Sequence, residues 1–276
     1  MTPWYSGAYG DSRSTRLLAG ASSTRGEPRA DVLDYAIRGE ELQYVEIELD
    51  PGESTIAEAG ALMYKDATVE MTSIFGDGSG QDAGLLNRLV GAGRRVLSGE
   101  GLFSTVFTHN GRGKATVAFA APYPGSILAI HLGEVGGRLI CQKDSFLAAA
   151  RGVSIDIHFQ RRILTGLFGG EGFIMQKLEG DGWVFVHTGG TAAKRDLGPG
   201  ETLHVDTGCL AALTASVRYD VVHVGGIKTM LLGGEGVFLA RLTGPGTVWL
   251  QSLPFSRLAG RLLAAMPRRH GGNGKG

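Results

Sequence analysis

Glutamate recurs three times between glycines, each time just ahead of bulky apolar residues: Gly99-Glu100-Gly101-Leu102-Phe103, Gly170-Glu171-Gly172-Phe173-Ile174 and Gly234-Glu235-Gly236-Val237-Phe238. If the three glutamates occupy equivalent places about an axis, Glu100, Glu171 and Glu235 form an oxygen cluster of the kind that binds a hard cation. The competing reading makes each a turn residue whose carboxylate accepts backbone N–H bonds while the glycines supply positive φ. That structural reading takes precedence, because a repeated position serves repeated architecture more often than chemistry. The second candidate is His204-Val205-Asp206. Period-two spacing places His204 and Asp206 on one face of a strand, as a metal ligand and its neighbour require. No H-E-x-x-H and no Cys/His set accompanies them, so a hydrogen-bonded strand histidine beside a turn aspartate is the default.

Other chemistry is absent from the pattern. The two cysteines, Cys141 and Cys209, stand in no C-x-x-C and read as small buried apolar residues. Neither Gly76-Asp77-Gly78-Ser79-Gly80 nor Gly169-Gly170-Glu171-Gly172 ends in the Gly-Lys-Ser/Thr of a phosphate loop, and no Gly-x-Ser-x-Gly elbow marks a serine nucleophile. No catalytic residue and no cofactor is assigned, and the chain is expected not to be an enzyme. One segment has a clear amphipathic pattern. Phe255, Leu258, Ala259, Leu262, Leu263 and Met266 share one helical stripe, Arg257, Arg261, Arg268 and Arg269 lie mostly off it, and no acid falls between 253 and 270. Such a helix either caps an open edge or face of a sheet or lies on an anionic membrane, with the cap the first expectation.

The elements that position these residues are strands. Glycine makes up 45 of 276 residues, about 16% where about 7% is ordinary, and proline only 9, with no Gly-X-Y period. That is a turn-dense all-β composition. A second landmark precedes each Gly-Glu-Gly. Pro51-Gly52-Glu53 leads to Gly60-Ala61-Leu62-Met63, Gly136-Gly137 to Ser145-Phe146-Leu147-Ala148, and Pro199-Gly200-Glu201 to Gly208-Cys209-Leu210-Ala211. Two landmarks in one order, three times, predict three copies of one β unit. The units span about 42–125, 126–195 and 196–253, inside a single domain at 34–253. The first copy holds some 15 extra residues, with helical spacing at Leu85, Leu86, Leu89 and Val90. Apolar runs joined by short glycine loops, Phe173–Leu178 with Trp183–Val186 and Val237–Leu242 with Thr247–Leu250, predict hairpins. The predicted architecture is a pseudo-threefold β-sandwich or prism, with a short inserted helix and a C-terminal helix. Residues 1–33 read as a disordered extension and 254–276 as the amphipathic helix and a flexible tail.

Lysine plus arginine (27) balances aspartate plus glutamate (27), so no global field draws in nucleic acid, and no nucleic-acid partner is expected. No apolar run is long enough for a membrane-spanning helix. A cytoplasmic setting is expected, or a mitochondrial one if the host is eukaryotic.

These landmarks carry a resemblance. Leu42-Gln43-Tyr44-Val45-Glu46-Ile47-Glu48-Leu49, Ala57-Glu58-Ala59-Gly60-Ala61-Leu62-Met63-Tyr64, Phe119-Ala120-Ala121-Pro122, Val205-Asp206-Thr207-Gly208-Cys209, Gly225-Gly226-Ile227-Lys228 and Leu242-Thr243-Gly244-Pro245-Gly246 are similar to the altered-inheritance-of-mitochondria family, also called mitochondrial biogenesis proteins. The run Trp249-Leu250-Gln251-Ser252-Leu253-Pro254-Phe255 completes the match, over roughly 34–263. The resemblance implies an all-β, double-stranded-β-helix-like fold shared with the tryptophan RNA-binding attenuation protein, and a tendency to oligomerise. It implies no established activity and no catalytic residue. Its eukaryotic members are associated with mitochondria and inner-membrane organisation. The expected function is a non-enzymatic scaffold or interaction protein, a homo-oligomer with unknown protein partners and a peripheral membrane contact through the C-terminal helix. The alternatives are a small-ligand- or metal-binding β protein and, behind it, an RNA binder.

Overall fold

The computed structural model describes residues 30–58, 60–75, 103–161, 173–224 and 237–266. In them nineteen strands form four antiparallel sheets. In chain order the strands are β1 (Asp34–Arg38), β2 (Tyr44–Leu49), β3 (Ser54–Glu58), β4 (Leu62–Lys65), β5 (Val69–Phe75), β6 (Phe103–His109) and β7 (Ala115–Ala120). Then come β8 (Gly125–His131), β9 (Arg138–Gln142), β10 (Phe146–Ala150), β11 (Ser154–Arg161), β12 (Phe173–Glu179) and β13 (Trp183–Gly189). The last six are β14 (Ala192–Leu197), β15 (Thr202–Asp206), β16 (Leu210–Thr214), β17 (Arg218–Val224), β18 (Val237–Thr243) and β19 (Gly246–Gln251), and one helix, α1 (Phe255–Ala265), follows. The all-β class with a C-terminal helix is as expected. The three glycine-flanked glutamates and the inserted helical segment lie outside the described residues.

One pairing scheme recurs three times. Sheet A runs β1-β2-β7-β4, sheet B β5-β6-β3-β10-β13-β8, sheet C β11-β12-β9-β16-β19-β14 and sheet D β15-β18-β17. In each series of six strands, counted from β2, β8 and β14, the first, sixth and third strands lie side by side in one sheet. The fourth, fifth and second lie side by side in the next. Series therefore share sheets: β3 pairs with β10 in sheet B, and β9 pairs with β16 in sheet C. The third series begins with β14, which pairs with β19 and straddles the boundary expected near 195.

The predicted hairpins are not hairpins. β12 pairs with β11 and β9, whereas β13 pairs with β10 and β8 in a different sheet. In the same way β18 pairs with β15 and β17, and β19 with β14 and β16. The short loops at 180–182 and 244–245 carry the chain from one layer to the other. Both strands of each predicted hairpin bury apolar side chains, and burial is satisfied equally by pairing edge to edge or by packing face to face. Local pattern does not separate the two.

Side-chain periodicity follows a strand's place in its sheet. β2 alternates half-buried and buried positions, with Val45, Ile47 and Leu49 inward and Tyr44, Glu46 and Glu48 on the other face. β10 (Phe-Leu-Ala-Ala-Ala) is buried throughout, because it is a central strand covered on both faces. The turns before the second strands use glycine as sequence predicts. Gly52 and Gly200 have φ of 91° and 77°, the left-handed values that a Pro-Gly turn needs after its proline. The following Glu53 and Glu201 each accept a backbone N–H three residues back, from Asp50 and Gly198, at 2.9 Å. Residues 30–33, assigned by sequence to the extension, are docked. The Ala30 amide donates to Asp181 Oδ1, Asp31 Oδ2 accepts from the Ser54 amide, and Leu33 is buried.

Two apolar cores result. The larger joins the first and second series, with Ile47, Phe119, Phe107, Leu139, Val184 and Phe185 among its buried members. Phe107 and Phe119 meet edge to face at 5.0 Å between sheets B and A, and Tyr35 meets Trp183 at 5.0 Å and Phe185 at 5.1 Å. The smaller core gathers Leu197, Leu210, Leu213 and Val248 of sheet C against Val205, Val221, Ala240 and Leu242 of sheet D. Phe107→Ala removes a fully enclosed ring from the A–B contact and is expected to destabilise the fold by about 3–5 kcal/mol. Urea unfolding followed by far-UV circular dichroism reads this as a lower midpoint with an unchanged slope.

Candidate functional site

The last residue of the second strand in each series is polar: Glu58 on β3, Gln142 on β9 and Asp206 on β15. Glu58 and Gln142 are placed where a sheet passes from one series to the next and Asp206 at the border of sheet D, and each is satisfied differently. Gln142 is buried and its Oε1 accepts from Gln251 Nε2 at 3.3 Å. Gln251 donates also to the Gly208 carbonyl at 2.8 Å and accepts from the Gly189 amide at 2.8 Å. Three backbone segments are thereby tied by one buried amide. Among the described residues no such partner meets Glu58; burial first, and then the nearby Asp144, push its carboxyl up to about 7, with Lys143 opposing. Asp206 is exposed, and its Oδ1 accepts from the Gly208 amide at 2.9 Å while Oδ2 lies 3.8 Å from Arg257.

Tyr123 and His187 adjoin this seam. The rings meet edge to face at 4.5 Å, and His187 Nε2 lies 3.1 Å from the Tyr123 carbonyl, which requires the proton on Nε2. Burial pushes His187 down to about 4, so its ring is neutral in ordinary buffers. Burial likewise pushes the Cys141 thiol up to about 12, and it raises Cys209, with Asp206 adding to the rise. Neither thiol is a ready nucleophile.

His204 and Asp206 do share the outer face of β15, both exposed on either side of buried Val205. Among the described residues no group of three or more His, Cys, Asp or Glu side chains is arranged to hold a metal ion. A cavity of about 410 Å³ opens on the outer face of sheet A, lined by Asp34, Arg38, Glu46, Glu48, Tyr64 and Asp66 among others. Its carboxylates are engaged. Glu46 accepts from the Tyr64 hydroxyl and from Arg38 Nε, Lys114 pairs with Glu48 and Asp34, and Asp66 accepts the Thr116 amide. The Tyr64 bond, then Arg38, hold Glu46 below the ordinary carboxylate range. These are surface ion pairs, individually worth little.

The helix α1 departs from the first expectation of a sheet cap. None of its residues is buried, and Phe255, Leu262, Leu263 and Met266 are 52%, 58%, 68% and 63% exposed. Its first half is held, with Leu258, Ala259 and Gly260 half-buried, while residues 261–266 are exposed. Pro254 is buried, the Phe255 ring lies 5.5 Å from Tyr123, and Arg257 reaches the Ser252 carbonyl at 3.1 Å and Cys209 Sγ at 3.4 Å. The amphipathic stripe was legible in sequence; that it stands free was not.

The comparisons with known proteins agree on kinship. The family model described as mitochondrial biogenesis AIM24 matches residues 35–253. The chain belongs to the AIM24 family. Among AIM24 relatives, the uncharacterised protein M6_Spy0233 of Streptococcus pyogenes serotype M6 is 34% identical over 234 residues, covering 83% of this chain and 89% of its own. The crystal structure of protein SPYM3_0169 from Streptococcus pyogenes superposes with a TM-score of 0.66 at 27% identity, over 85% of this chain and all of that one. The AIM24 assignment thus rests on residues 35–253, the span of the β core.

Sequence reasoning passed over Glu58, Gln142 and Gln251. For Glu58 and Gln142 the available signal was a polar residue closing a strand just ahead of a repeated landmark. Glu58 has a measurable consequence. In the unfolded chain it ionises near 4.5, and in the fold only near 7, so between those values the native state binds the extra proton and stability falls as pH rises. Above the interval the buried carboxyl costs the fold on the order of 3 kcal/mol. Glu58→Gln is expected to raise the unfolding midpoint at about pH 8 and to leave it nearly unchanged at about pH 4. Urea titrations at the two pH values check it; an equal effect at both would contradict the buried-acid account.

Proposed function

We propose that this AIM24 protein is a non-enzymatic interaction scaffold, self-associating, that touches an anionic membrane surface through α1. The observation that carries the reading is a helix held on the domain through its first half, with its apolar stripe exposed at Leu262, Leu263 and Met266. Charge supports the same partner. Arg257, Arg261, Arg268 and Arg269 accompany the stripe, and no acid falls between 253 and 270. Burying each of Leu262, Leu263 and Met266 contributes roughly 1.5–3 kcal/mol, and each arginine near an anionic lipid surface about 1 kcal/mol. That is enough for reversible attachment, and salt weakens it.

The test compares the full chain, the chain ending at Leu253, and Leu262→Asp/Leu263→Asp in sedimentation with phosphatidylserine–phosphatidylcholine vesicles. The full chain is expected to sediment, and to be released by added salt. Both variants are expected to stay in solution, the double variant with an unchanged thermal midpoint and the truncated chain, which loses the buried Pro254 and the Phe255–Tyr123 contact, folded with a lower one. Unfolding of the truncated chain would make α1 a structural element, and undiminished sedimentation of the double variant would end the membrane reading.

A further inference from the structure

We propose that β4 and β15 are the two halves of a third strand joint, formed between copies of this chain, with β15 of one copy pairing antiparallel to β4 of the next. The inference rests on the self-association in the reading above and supplies its geometry.

The argument is one of register. Where series meet inside the chain, the second strand of one pairs with the third strand of the following one. Ala57, Ile56 and Thr55 of β3 face Ala148, Ala149 and Ala150 of β10, and Cys141, Ile140 and Leu139 of β9 face Ala212, Leu213 and Thr214 of β16. The scheme leaves one second strand and one third strand over: β15, bordering sheet D, and β4, bordering sheet A. Among the described residues β15 has a ladder with β18 alone and β4 with β7 alone. Among the described residues each is therefore an edge.

The edge of β4 has the shape of a strand made for pairing. Its ladder with β7 shifts register between Leu62 and Tyr64. The same shift falls between Phe146 and Ala148 in β10 and between Leu210 and Ala212 in β16, both of which are paired on their other side. The irregularity is thus part of the joint and not a device that blocks it. The residue after the shift is Tyr64, equivalent to Ala148 and Ala212. The residue before the terminal polar position of β15 is Val205, equivalent to Ala57 and Cys141. The third joint then sets Tyr64 opposite Val205, Lys65 opposite His204 and Asp66 opposite Leu203. Tyr64 with Val205 is a favourable aromatic–β-branched cross-strand pair, and Lys65 lies diagonal to Asp206. A second copy is the occupant because only this chain carries the matching half. The contact is heterologous, head to tail, and closes as a ring or continues as a filament.

The test uses full-length protein. Lys65→Cys and His204→Cys are made separately, mixed and mildly oxidised, with Lys65→Cys plus Leu203→Cys as the off-register control and the unsubstituted chain as the thiol control. The in-register mixture is expected to give a disulfide-linked species of twice the monomer mass, in clear excess over both controls. Hydrogen exchange on the unsubstituted protein at rising concentration is expected to protect residues 62–66 and 202–206 together. A double variant that closes its disulfide within one chain would overturn the proposal. So would a cross-link of Lys65→Cys with itself. If light scattering reports an oligomer whose edges neither cross-link nor gain protection, self-association stands and this joint falls. A monomer at every concentration removes both.

Discussion

Pairing between the second strand of one series and the third strand of the next holds this molecule together. A single series is two small three-stranded layers, and a domain of about 60 residues buries only about 60% of its unfolded surface. Sharing sheets changes that. At the β3–β10 and β9–β16 joints, six strands run continuously, and the central ones are covered on both faces. The joint strands show the consequence in composition: β10 is Phe-Leu-Ala-Ala-Ala and β16 Leu-Ala-Ala-Leu-Thr, with small residues where two layers close on one strand. Gln142 and Gln251 complete the second joint with a buried amide bonded to Gly189 and Gly208, which fixes one register out of those that apolar surface alone would tolerate.

Much of this was legible in the sequence and one level was not. The turn-dense composition, the three-fold recurrence of landmarks and the Pro-Gly turns at 51–52 and 199–200 all have direct local causes, and the structure displays the turns as drawn. The hairpins at 179–182 and 243–246 failed because strand partnership is non-local. Phe173–Leu178 and Trp183–Val186 both bury apolar side chains next to a glycine turn, and nothing within either run states whether the neighbour is beside it or beneath it. The deciding partners, β11 and β9 for β12, lie on either side of a landmark that sequence had assigned to a different role.

The site divided along the same line. The α1 stripe is a period in the chain, so it was readable; its exposure is a property of what lies around it, so it was not. His204 and Asp206 share a face because strands alternate. That no third ligand joins them among the described residues follows from β15 lying at the border of sheet D, with one described neighbour to supply side chains. Glu58 was invisible as a functional position, since a glutamate after Ile-Ala in a strand looks like an exposed end. Its shifted acidity comes from burial and from Asp144, both features of the seam between series.

The two open surfaces are contiguous, which bears on how weak contacts add. Asp206 closes β15, and Arg257 in the first turn of α1 lies 3.8 Å from it. The root of the helix therefore sits beside the edge that a second copy would occupy. Compared with the apolar inner joints, β4 and β15 carry Lys65, His204 and Asp206, a composition suited to an edge that meets water as well as a partner. A single short helix with a few exposed apolar side chains attaches reversibly to a lipid surface. Copies joined through the proposed joint would present several such helices at once, and the second attachment would become intramolecular, with an effective concentration that multiplies overall affinity by factors of roughly 10²–10⁴. On the proposed reading, assembly through polar edges and attachment through the exposed end of α1 would be one device: each contact is weak alone, and the strand joint would determine how many act together.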